Sequence, residues 1–222
     1  MEIRWFGQSA FLFVADGRRL VIDPFVPPPP NSGWQFNPPP MPAVEADVLL
    51  VTHEHFDHNA VSAVRGSPHT IRSSVGTFDS PIGKVVGVAS EHDPVAGTQR
   101  GANVVYVFSL GGFRICHCGD FGQSALRPEQ AEAIGQVDML FVPVGGGPTL
   151  GGPGAEALVK RLQPGWVVPM HYRMPGIAFL QAPDDFLDRF ADVRRLPSGT
   201  IDTDALQPGN GPVILVPSPP AQ

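Results

Sequence analysis

The sequence predicts a single-domain α/β chain in which strands dominate. Three observations carry that expectation. Short apolar runs of strand length recur through both halves of the 222 residues, and stretches of helical character are few. The length suits one layered domain that buries roughly 70 to 75% of its unfolded surface. A 42% hydrophobic and 16% charged composition is enough for a sizeable core.

Taken in order, Ile3 to Asp23 reads as alternating strands with a turn at Asp16-Gly17. Residues 27–42, PPPPNSGWQFNPPPMP, carry too much proline for a helix or an inner strand and predict extended polyproline with turns. Val48, Leu49, Leu50 and Val51 form a continuous apolar run, the mark of a strand buried on both faces. Asn59 to Val64 predicts a short helix with Asn59 near its start. Strands are expected over Lys84–Ala89, Asn103–Ser109 and Phe113–Cys118, then a helix over Arg127–Gly135. A helix over Ala155–Leu162 precedes a strand that begins near Trp166 and ends at His171. A helix over Asp184–Phe190 and a strand over Pro212–Val216 complete a domain of residues 1–216. The tail 217–222 is expected to be disordered.

The most informative segment follows the apolar run: His53-Glu54-His55-Phe56-Asp57-His58 puts three imidazoles and a carboxylate in one short turn at a strand's C-terminal end. His53 and His55, two apart, can project to one side of the emerging chain, while Asp57 and His58 lie on the bend after it. A metal explains this clustering; a solvated polar loop is the plainer alternative. A strand feeding a loop is also where open sheets place their chemistry.

An HxHxDH hexad after an apolar strand resembles the metallo-β-lactamase superfamily, and the resemblance extends over nearly the whole chain. Asp23, closing a strand, matches the family's first motif, whose Asp steadies the ligand loop; as plain sequence, Asp-Pro is a turn initiator. His92 in SEHDP, Asp120 in HCGDF and His171 in VVPMHY occupy the places of the third, fourth and fifth motifs. The resemblance implies a four-layer αββα sandwich of two mixed sheets with outer helices, the strand ends above sharing one edge. It implies a first metal site of His53, His55 and His92, a second of Asp57, His58 and His171, and Asp120 bridging them. Two divalent ions are implied, zinc by donor type, with manganese or iron also compatible. Residues 138–172 resemble the small stand-alone hydrolases that include the ascorbate-6-phosphate lactonase group. Two features depart from that pattern: Gly7-Gln8, where relatives commonly carry Gly-His, and the proline-rich insertion after Asp23.

The chemistry that follows is hydrolysis of a small-molecule ester, lactone, amide or phosphoester by a metal-bound hydroxide, with Asp57 or Asp120 orienting it and relaying its proton. The alternative is a protein that keeps the ligands without turnover, as a sensor or interaction domain. No GxSxG, GxxxxGK[ST] or helix-opening GxGxxG offers a rival mechanism. Arg100 and Arg173 are candidates to hold an anionic group, against the ordinary fate of surface ion pairing. Trp34 and Phe36 are candidates to cap an apolar part of the cleft, or else to pack on the body or on another subunit. Gly145–Gly147 and Gly151-Gly152 are backbone near the cleft by the resemblance, where their amides could touch substrate, and a flexible turn before the next helix by the plainer reading, which we favour.

His69 reads as a surface residue in a polar turn. His117 alternates with Cys116 and Cys118, pointing to one face while both sulfurs point to the other; the cysteines read as core thiols and suit a reducing compartment. A net charge of −6 with scattered Lys and Arg argues against nucleic acid. With no stretch of about 20 apolar residues and no signal-peptide pattern, a cytoplasmic protein free of the membrane is expected, and a homo-oligomer stays open.

Overall fold

The structure, a computed structural model, describes residues 1–29, 33 and 35–220. Its first half contains β1 (Glu2–Gly7), β2 (Ala10–Ala15), β3 (Arg18–Ile22), β4 (Val44–Glu45), β5 (Val48–Val51), β6 (Val64–Arg65), β7 (His69–Arg72), β8 (Gly76–Ser80), β9 (Gly83–Glu91) and β10 (Ala102–Leu110). There follow β11 (Phe113–His117), α1 (Pro128–Ile134), β12 (Met139–Pro143), α2 (Gly152–Leu162), β13 (Trp166–Met170), α3 (Asp184–Leu187), β14 (Val193–Arg195), β15 (Thr200–Asp202) and β16 (Val213–Val216).

Six strands form one sheet in the order β15-β1-β2-β3-β5-β7, and eight form another in the order β14-β16-β13-β12-β11-β10-β9-β8. Both are mixed. The sheets meet through aromatic rings: Phe11 and Phe13 of β2 stand edge-on to Phe141 of β12, with centroids 4.8 and 5.3 Å apart, and Phe13 meets Phe108 of β10 at 5.4 Å. This seam is the centre of the core, and all four rings are at most 1% exposed.

Parallel neighbours need a long crossover. In the larger sheet α1 carries the chain from β11 to β12 and α2 from β12 to β13. In the smaller sheet, β3 to β5 and β5 to β7 are also parallel, but their crossovers are the proline-rich segment and the histidine hexad with its following turn. Among the described residues, neither of these two crossovers contains an α-helix; they hold only the short paired strands β4 and β6 and one 3₁₀ turn.

Several boundaries differ from expectation. Asn59–Val64 contains a single 3₁₀ turn, Val61–Ala63, because the Asn59 amide donates to the Glu54 carbonyl (2.8 Å) and does not cap a helix. The helix expected from Ala155 begins at Gly152, since Pro153 in the first turn needs no N–H partner there. α3 stops at Leu187, after which Arg189 and Phe190 tighten into three-residue turns on Phe186 and Leu187. The edge strands β7, β8, β14 and β15 carry exposed residues and no apolar run, which hid them; exposed His69 opens β7. Ser218, assigned to a disordered tail, is tied down: its N–H donates to Ser198 O (3.0 Å) and its hydroxyl to Leu196 O (2.7 Å).

Truncating the ring that joins the sheets tests this packing. Phe141→Ala is expected to cost about 3 to 5 kcal/mol, read as a lower urea midpoint at unchanged denaturant slope.

Candidate metal centre

Hydrogen bonds at the outer nitrogens of His53, His58, His92 and His171 shape the site. Asp23, fully buried, accepts the Thr52 N–H (2.8 Å) and hydroxyl (2.7 Å), and its Oδ2 also faces His58 Nδ1 at 3.0 Å. The Thr52 hydroxyl, having donated to Asp23, is left as acceptor for His53 Nδ1 at 3.0 Å. His92 Nδ1 donates to the Pro148 carbonyl (3.0 Å), and His171 Nδ1 meets the Thr149 hydroxyl at 3.4 Å. With Nδ1 held by these contacts, all four rings turn Nε2 toward one point. Outside this ring, Arg72 and Ser73 bind the Glu54 carboxylate and hold the hexad to the end of β7.

That point is Asp120. Its Oδ2 lies 3.0 Å from His92 Nε2, 3.1 Å from His171 Nε2 and 3.8 Å from His53 Nε2, and its Oδ1 lies 3.3 Å from His58 Nε2. His55 approaches through Nδ1, 3.1 Å from His53 Nε2. Ligand atoms fall within 4.8 Å of one another in three groups: His53, His55 and His92; His53, His58 and Asp120; Asp57, His58 and His171. All seven residues singled out in the sequence therefore converge, although they follow four different strands. Apart from His55 and Asp57, which face the opening, they are buried.

The electrostatics are those of donors gathered around carboxylates. Burial pushes the Asp120 carboxyl up, but His171 and His58 outweigh it and hold it well below the usual carboxylate range. Burial likewise opposes a charged His58, yet Asp120 and Asp57 keep its imidazolium well above the ordinary value. Burial, then the charge of His58, push His53 far down, so that it stays a neutral donor. His58 Nε2 is buried without a hydrogen-bond partner among the described residues, and a bound cation would take the place of its proton.

Several contributors were not legible beforehand. Gln8 Nε2 donates to Asp57 Oδ2 at 2.7 Å, so the residue standing where relatives carry His does reach the site. Asn103 Oδ1 accepts the Asp120 N–H (3.0 Å), and the Ser9 hydroxyl lies 3.4 Å from Asp120 Oδ1. Gln8, Asp23 and His171, all at the cluster, have φ values of 50°, 49° and 51°, strained for residues with a side chain. Gly145 is no flexible turn: its N–H binds the His171 carbonyl (2.9 Å), and a Cβ there would lie 2.2 Å from that oxygen. Only glycine lets the two loops close.

Other candidates fall elsewhere. His117 spends both nitrogens inside the core, Nε2 on Ser9 O (3.0 Å) and Nδ1 on the Gly119 N–H (3.2 Å), and is no ligand. Cys116 and Cys118 are free and buried. Arg173 donates to the Leu180 carbonyl (2.9 Å) and does not line the cleft over the cluster, whereas Arg100 does. Of the two placements open to Phe36, the structure combines both: it lines that cleft and packs, buried, on the body. Trp34 lies outside the described residues.

Comparison with known proteins follows the geometry. Residues 2–171 match the family model described as Beta-lactamase superfamily domain. The chain belongs to this superfamily. It is 31% identical to a UPF0173 metal-dependent hydrolase of Thermococcus kodakarensis, over 94% of this chain and 97% of that one, and 32% identical to another from Pyrobaculum calidifontis, over 88% and 94%. A Thermotoga maritima crystal structure, described as a candidate Zn-dependent hydrolase of the metallo-beta-lactamase superfamily, shares 32% identity and superposes with a TM-score of 0.78 over 97% of this chain and 98% of that one.

Within this superfamily member, Asp23 is the keystone of the ligand loop. Asp23→Ala is expected to weaken metal binding by about 10- to 100-fold, measured by competition with a chelator. Asp23→Asn, which keeps one acceptor oxygen, is expected to lose less.

Proposed function

We propose that this chain is a metal-dependent hydrolase that works with two divalent cations on a small-molecule ester, lactone, amide or phosphoester. The observation that carries the reading is the convergence of four Nε2 atoms on the Asp120 carboxylate. His53, His55 and His92 would hold one ion and Asp57, His58 and His171 the other, with Asp120 between them. Imidazole with carboxylate suits zinc best, and the carboxylate-rich side also suits manganese or iron. The names of the Thermococcus and Pyrobaculum relatives support the same reading.

Two such ions supply Lewis acidity at the scissile carbonyl or phosphoryl group and an ionised water at neutral pH. The protein's part is positional. Gln8 Nε2 donates to Asp57 Oδ2 and fixes this half-buried carboxylate, which would hold an ion through one oxygen and with the other orient the attacking water and take its proton. Asp120, held by Asn103 and Ser9, fixes the distance between the two halves. Water adds to the electrophile, the bond to the leaving group breaks, and the proton on Asp57 passes to the departing oxygen or nitrogen.

A net charge of −6 supports a small molecule over a phosphate backbone. No helix among the described residues is long and apolar enough to cross a membrane.

Elemental mass spectrometry is expected to find two ions per chain, and a lactone, phosphodiester and thioester panel to show turnover that chelation abolishes. Asp120→Ala is expected to keep the fold, bind one ion and lose at least about a hundredfold in activity. Silence across the panel at full occupancy would leave a metal-binding role alone, and unchanged Asp120→Ala turnover would refute the bridging assignment.

A further inference from the structure

The cleft above the cluster has a volume of about 450 Å³. Away from the histidines and carboxylates, its lining is Phe36, Phe56, Phe179 and Pro148 with Gln35 and Arg100. Five large hydrophobic side chains are exposed among the described residues; two of them are aromatic, Phe56 at 37% and Phe179 at 48%, and both stand in this one cleft. Scattered apolar exposure needs no explanation, but paired aromatics in a concave site mark a ligand surface.

This wall is built to stay in place. Phe36 sits edge-on between Phe25 (5.6 Å) and Phe56 (5.5 Å). Its strand bridge to Ile177 and the Asn37 N–H on Gly176 O (2.8 Å) clasp the proline-rich crossover to the segment that carries Phe179. Gly176, at φ 83°, is required at the clasp, because a Cβ would lie 1.9 Å from Asn37 O. Polar chemistry in the lining is correspondingly sparse. Arg100 is the one arginine or lysine in that lining among the described residues. Asp93 sets its position by accepting the Val95, Gly97, Gln99 and Arg100 N–H groups, closing the turn that links His92 to Arg100.

We infer that the cleft selects a substrate with a flat apolar body, held between Phe36, Phe56 and Phe179, and one anionic group held by Arg100. A polyhydroxylated sugar derivative is disfavoured, because burying its hydroxyls against this wall would leave them without partners. The inference rests on the hydrolase reading for its use of the word substrate, but what the cleft holds is measurable without turnover.

Calorimetric titration of the full chain, in metal-free and zinc-loaded forms, would use 4-phenylbutyrate, its uncharged amide and gluconate. The expected result is that 4-phenylbutyrate binds at least about tenfold more tightly than gluconate in both forms. Arg100→Gln should weaken the acid about tenfold and leave the amide unchanged. Phe179→Ala, at a half-exposed position, should weaken both aromatic probes without lowering the unfolding temperature. Gluconate binding as tightly as 4-phenylbutyrate, or indifference to both substitutions, would overturn the inference. Selective binding with no turnover of any ester would sink the hydrolase reading and keep this one. Turnover of gluconolactone without preference for a phenyl-bearing ester would do the reverse.

Discussion

A carboxylate buried between two β-sheets has to be compensated on every side, and Asp120 imposes that requirement here. At 2% exposure, with four imidazole nitrogens within 4 Å, it is stable only where the ends of several strands meet. His53 and His58 leave β5, His92 leaves β9, Asp120 leaves β11 and His171 leaves β13. The aromatic seam between β2 and β12 holds the two sheets in the register that lets these ends converge.

Convergence alone would leave the rings free to turn. The outer contacts remove that freedom: Asp23 and Thr52 hold His58 and His53, and Pro148 and Thr149 hold His92 and His171. The cost appears in the backbone, where Gln8, Asp23 and His171 sit in the left-handed region. Such conformations persist because the surrounding hydrogen bonds over-determine them. Gln8 shows the trade plainly, since its amide nitrogen orients Asp57 while its Oε1 is buried without a partner among the described residues.

The division of labour between crossovers follows from sheet topology. The larger sheet spends its parallel crossovers on helices, which pack and stabilise. The smaller sheet spends its own on the proline-rich segment and the hexad, so the wall and floor of the cleft lie side by side at the ends of β3 and β5. The candidate metal ligands line the floor. Phe36, carried by the proline-rich crossover, lines the wall together with Phe56 and Phe179.

Local sequence determined the strand-dominated class, the buried β5 run and the hexad, because strand length and side-chain alternation are written residue by residue. His92, Asp120 and His171 became legible only through resemblance, since a lone His or Asp after a strand carries no local signal. Tertiary structure alone decided the rest. The hydrogen bonds of Gln8, Ser9, Asn103 and Thr149 at the cluster, the role of His117 in the core and the separation of Arg100 from Arg173 all depend on which strand ends become neighbours. The edge strands escaped notice for a related reason: with their side chains in solvent, they are strands by virtue of the partner they pair with.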